Sequence, residues 1–91
     1  MTVKVKFFAY FREIFGGRQR ERSLPAGTSL RSLLEDLCDT PIRRAEIFDG
    51  ESLKPHVIVM KNGTPAESLD GLETELNDGD VVSVFPFIGG G

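Results

Sequence analysis

The sequence predicts a two-layer α+β domain, a mixed sheet with one main helix packed on one face. Three observations point there. Polar and apolar residues alternate near both ends of the chain, an apolar stripe at helical spacing runs from Leu30 to Cys38, and Val57-Ile58-Val59 forms a β-branched run. The 91 residues suit one domain, 1–91, with a flexible tail over 86–91, since about 100–200 residues is the usual domain size. A chain of this length buries a little over ~60% of its unfolded surface, enough for a core without staples.

Each element has a local reason. Thr2-Val3-Lys4-Val5-Lys6-Phe7-Phe8 alternates as a half-buried strand does. Val3, Val5 and Phe7 share one face, and Lys4, Lys6 and Phe8 the other. Tyr10 to Phe15 reads as a helical turn ended by Gly16-Gly17, with Gln19 to Leu24 returning as a second strand. Thr28 is the expected N-cap of the main helix. Leu30, Leu33, Leu34, Leu37 and Cys38 then form its apolar face, opposite Arg31, Ser32, Glu35 and Asp36. Pro41 closes this helix or opens a short one running to Phe48. Thr40 to Pro55 is the least regular stretch and reads as an insertion between core elements. His56 to Lys61 is a strand whose continuous apolar content hides its buried face, stopped at Asn62-Gly63. Leu69, Leu72 and Leu76 pin a looping segment. Asn77-Asp78-Gly79-Asp80 is a tight turn, and Val81 to Phe85 is the last strand, with Val82 and Val84 facing together.

Composition excludes several classes. A net charge of −3 argues against nucleic acid, whose binding depends on phosphate neutralisation. The early basic residues Lys4, Lys6, Arg12, Arg18, Arg20 and Arg22 alternate with other residues and read as a solvated strand face. One cysteine, Cys38, permits neither an internal disulfide nor a multi-cysteine zinc site. It sits on the leucine face and reads as core. No apolar run reaches the ~18 residues that span a bilayer, and no charged-then-apolar leader is visible. The expectation is a cytoplasmic, reducing setting with no nucleic-acid or membrane partner. His56, the sole histidine, reads as a strand-edge surface residue, and Asp78 and Asp80 as turn residues rather than a paired carboxylate.

The chain closes on Pro86-Phe87-Ile88-Gly89-Gly90-Gly91. Glycine packs nothing and loses the most backbone freedom on ordering, so such a segment is poor structural material. It can, however, thread a channel too narrow for side chains. A frayed end and a working tail are both open on composition alone.

Three stretches resemble the small sulfur-carrier proteins of the ubiquitin-like β-grasp superfamily, and within it the small subunits of molybdopterin synthases. They are Val3-Lys4-Val5-Lys6-Phe7-Phe8-Ala9 with Arg12-Glu13 and Gly16, then Leu76-Asn77-Asp78-Gly79-Asp80-Val81-Val82, and Phe85-Pro86-Phe87-Ile88-Gly89-Gly90-Gly91. Phe87 stands where a second proline is usual. Gly89 occupies the variable position, which sets Gly90-Gly91 on the family pair. The resemblance implies a β-grasp fold with the first and last strands central and parallel.

It also implies a chemistry. The Gly91 carboxyl is ionised at neutral pH, its ordinary pKa being ~3.5, and must be activated before it can accept sulfur. A ubiquitin-activating-like adenylyltransferase would supply ATP and magnesium and form an acyl-adenylate at Gly91; the chain itself binds no cofactor or metal. A sulfur donor enzyme would convert the adenylate to a thiocarboxylate, and a molybdopterin synthase large subunit would receive the tail. Gly89, Gly90, Pro86, Phe87 and Ile88 would form the inserted arm. Extended chain from Phe85 reaches roughly 20 Å in six steps.

A docking surface is expected from alternation alone: Phe8 and Phe85 fall on the face away from the helix, with Ile58 or Met60 beside them, and contiguous exposed apolar patches mark interfaces. The alternative is that the insertion at 40–55 covers this face. In the family, positions matching Phe8, Leu69 and Phe85 line a partner-binding surface. Other readings of the same tail are a protein modifier joined to lysines through Gly91, a carrier for cysteine synthesis or tRNA thiolation, and a purely structural interaction module.

Overall fold

The structure, a computed structural model, describes residues 1–87. Strand β1 (Thr2–Phe7) leads through a one-turn helix α1 (Phe11–Ile14) to β2 (Gln19–Ser23). Helix α2 (Leu30–Leu37) is followed by α3 (Pro41–Ile47) and a small hairpin, β3 (Phe48–Asp49) and β4 (Ser52–Leu53). Strand β5 (Val57–Lys61), a two-residue β6 (Thr64–Pro65), two 3-10 turns (Ala66–Ser68 and Gly71–Glu73) and β7 (Val81–Pro86) complete the order.

Five strands form a mixed sheet in the order β2-β1-β7-β5-β6. The β1 and β7 strands are parallel neighbours, with Val5 opposite Val82 and Phe7 opposite Val84. This is the ubiquitin-like β-grasp arrangement, with both of those strands inside the sheet. One face of the sheet packs on α2. Val3, Val5, Phe7, Val57, Val59, Val82 and Val84 are buried there against Leu30, Leu33, Leu34 and Leu37. Phe7 stacks on Phe15 with ring centroids 4.5 Å apart, which seats α1 over the end of the sheet. Burying side chains of this size contributes about 1.5–3 kcal/mol each, so this shared face holds the fold together.

Three expectations change. The cap of α2 is Ser29, not Thr28: the Ser29 side chain accepts from the Ser32 N–H. Thr28 is held elsewhere, its hydroxyl donating to the Pro25 carbonyl and its own carbonyl accepting from Leu76 N–H. The stretch 40–55 is regular, since Thr40 caps α3 and Ile47 and Phe48 join the core; it packs on the helix side and leaves the opposite sheet face open. Arg20 and Arg22 do not lie on a solvated face. They stand opposite Val5 and Val3, on the helix side of the sheet, where Arg22 pairs with Asp36 at 2.9 Å and Arg20 donates to the Phe15 carbonyl.

Candidate functional site

At the end of β1 the chain must leave the sheet abruptly. Phe8 adds one more rung, its N–H donating to the Val84 carbonyl at 3.1 Å. Ala9 then adopts a φ of 54°, a left-handed conformation rarely taken by residues with a Cβ. This turn starts α1 and leaves the Phe8 ring on the open face, 38% exposed. Phe85 meets it from β7, edge to face, at 6.0 Å between ring centroids and 84° between planes. Aromatic pairs favour that geometry because ring edge and ring face carry opposite partial charge. The Arg12 guanidinium lies 5.7 Å from the Phe8 centroid.

Phe8, Ala9, Met60, Ser83, Phe85 and Pro86 line a shallow depression of about 480 Å³. Register explains the grouping: Met60 stands opposite Ser83 and Ile58 opposite Phe85 across the β5–β7 pair. Sheet pairing also fixes what the sequence left ambiguous, because Val57 and Val59 face the core while Ile58 and Met60 are half-exposed. Of the proposed docking residues, then, Phe8, Met60 and Phe85 come together. Ile58 lines a second depression with Leu53, Pro55 and Phe87 at the sheet edge. Leu69 stands apart, 39% exposed, in a polar hollow with Lys61, Asp70, Glu73 and Glu75.

The root of the tail is held from the β5 side. Pro86 is buried opposite Val57, and the Phe87 N–H donates to the His56 carbonyl at 2.6 Å. The Phe87 side chain is 62% exposed. The His56 imidazole lies 3.0 Å, Nε2 to oxygen, from the Tyr10 hydroxyl. Sequence spacing could not reveal this pairing, because the two residues are 46 positions apart. Ile88, Gly89, Gly90 and Gly91, the remaining tail residues, lie outside the described residues.

Cys38 is buried at the end of α2, and burial pushes its thiol up to about 11, so it stays protonated and unreactive at neutral pH. Asp78 and Asp80 splay apart. Asp78 accepts from Thr2 N–H at 2.8 Å, whereas Asp80 turns inward to Asn62 and Asn77. No helix among the described residues is long and apolar enough to cross a membrane.

Known proteins share this architecture and sequence. Residues 5–91 match the model of the ThiS family. Small archaeal modifier protein 3 of Haloferax volcanii is 43% identical over 95 residues, covering all of both chains. The solution structure of the Haloferax volcanii HVO 2177 protein superposes with a TM-score of 0.85 at 36% identity, over 100% of this chain and 87% of that one. A Pyrococcus furiosus structure, provisionally named molybdopterin converting factor subunit 1, gives 0.74 at 33% identity, over 97% of this chain and 99% of that one.

Proposed function

The chain belongs to the ThiS family of ubiquitin-like sulfur carriers and modifiers, and from that premise we propose that it carries sulfur as a thiocarboxylate at Gly91, as the small subunit of a molybdopterin synthase. The apolar strip of Phe8, Met60 and Phe85, running directly to the tail root at Pro86, carries this reading. A carboxylate is a poor electrophile, so the chemistry belongs to a partner with ATP and magnesium, a ubiquitin-activating-like adenylyltransferase. There, a Gly91 carboxylate oxygen attacks the nucleotide's α-phosphorus and displaces pyrophosphate. Hydrosulfide released by a donor enzyme then attacks the acyl carbon and expels AMP, losing its proton to leave the Gly91 thiocarboxylate. The large synthase subunit takes the loaded tail.

The chain's own residues supply docking and delivery. Ordering each tail residue costs about 1–2 kcal/mol, which an apolar grip at the root offsets. Pro86 already fixes its φ, and Phe87 is tied to His56 just before β5, so part of that ordering is complete before a partner arrives. The relation to the Pyrococcus furiosus protein supports the molybdopterin assignment.

A second reading is favoured by the full-length relation to a small archaeal modifier protein: conjugation of Gly91 to lysines. Both readings share the adenylate and part afterwards. Intact mass spectrometry after incubation with the activating enzyme, ATP and a sulfur donor separates them. A mass gain equal to sulfur replacing oxygen at Gly91 is expected. Gly91-to-lysine adducts without that gain would favour the modifier. Neither product, with a Gly91 deletion behaving normally in cells, would sink both.

A further inference from the structure

His56 is gripped from both of its ends. Its carbonyl accepts the Phe87 N–H, the last backbone hydrogen bond beside the β5–β7 pair among the described residues. Its imidazole is held by the Tyr10 hydroxyl and lies 6.3 Å, centroid to centroid, from the buried Phe11 ring. Tyr10 itself leans on Phe11 at 4.7 Å. Its place there depends on Ala9, whose left-handed φ swings the chain across the end of the sheet. Three segments distant in sequence thus meet at His56, Tyr10 at its imidazole and Phe87 at its carbonyl, and α3 contributes Glu46 beside the phenol. Burial and then the Glu46 carboxylate raise the Tyr10 pKa above its ordinary value, so the hydroxyl keeps its proton.

Resting on the carrier reading, we propose that Tyr10 and His56 are positioning residues: together they clamp the tail root and set the direction in which the chain leaves Phe87. The physical reason is torsional. The peptide that carries the His56 carbonyl is held at its other end, where Val57 N–H donates to the Lys54 carbonyl at 3.0 Å. Fixing the imidazole through Tyr10 adds a restraint on the His56 side of that peptide. Neither side chain is needed for the open-face depression, which Phe8, Met60 and Phe85 build without them. The clamp therefore acts on where the tail points, not on how tightly a partner grips the sheet.

The test uses the full chain in two measurements. Tyr10→Phe removes the hydroxyl and keeps the ring on Phe11, so the fold is retained. One lost hydrogen bond of ordinary strength predicts Phe87 amide exchange faster by about threefold to tenfold. The Phe8 amide on the other side of β7 should be unchanged. With the activating enzyme, ATP and a sulfur donor, kcat for thiocarboxylate formation should fall by a similar factor while KM moves less than about twofold, the pattern of lost positioning rather than lost docking. His56→Ala should reproduce both effects, and His56→Gln, which restores a side-chain nitrogen, should recover most of each.

Unchanged Phe87 exchange, or faster exchange with unaltered kcat, overturns the clamp while leaving the carrier reading intact. Failure of the unsubstituted protein to gain sulfur overturns the carrier reading itself, and the role assigned to Tyr10 and His56 with it.

Discussion

At Asn62 the backbone takes a φ of 51° and hands on to Gly63 at 83°, the pair of left-handed residues that a tight hairpin requires. The side chain is as important as the turn. Its oxygen accepts from Val81 N–H and its amide donates to Asp80, each at 2.9 Å. Asp80 is nearly buried, and burial alone would raise its pKa. The Asn77 N–H, the Asn62 amide and the Lys61 ammonium at 3.6 Å outweigh that and hold its carboxyl below the ordinary range. A depressed folded pKa means that the stabilisation is present above the unfolded value, about 4, and is lost as pH falls through the folded one. Thermal melts should therefore show a loss of stability at acid pH that is reduced in Asp80→Asn. That variant should also be less stable at pH 7 by about 1–3 kcal/mol, because buried donors lose a charged acceptor. An identical acid limb in both proteins would refute the assignment.

Among the elements, α2 offers the sharpest contrast. Its apolar face was readable because Leu30, Leu33, Leu34, Leu37 and Cys38 repeat at helical spacing, and all five are buried. Its cap was not, because Thr28 and Ser29 are both suitable residues and only contacts with distant chain decide between them. Leu76 N–H holds the Thr28 carbonyl, and the Thr74 carbonyl accepts the first helical N–H, from Leu30. Ser29→Ala should cost about 1 kcal/mol in chemical denaturation, and no measurable cost would show that the cap is misassigned. The same limit governs the candidate site. Alternation in β1 and β7 placed Phe8 and Phe85 on one face, since strand periodicity is local. It could not place Met60 and Ile58, because β5 is apolar on both faces and takes its orientation from pairing with β7. Nor could it join Tyr10 to His56, which meet only through a turn at Ala9 that no glycine or proline signals.

For the whole molecule, the two faces of the sheet differ sharply in burial. Phe7 is buried on the helix side and Phe8, the next residue, is on the open side. Phe7→Ala should lower stability by about 3–5 kcal/mol. Phe8→Ala should leave the melting temperature within a few degrees yet slow sulfur loading through a raised KM, as a docking residue does. Equal loss of stability in both would argue against a docking role for Phe8. The pairing of β1 with β7 carries a further consequence, for synthesis rather than for docking. These parallel neighbours lie at opposite ends of the described chain, so the sheet has no centre until residue 86 has been made. Until then Val5 and Phe7 lack their β7 neighbours Val82 and Val84, and His56 has no Phe87 to hold. Long-range pairing of this kind is slow to close. A chain cut short before residue 86 therefore lacks both the apolar strip and the anchored tail root, since both are built on β7.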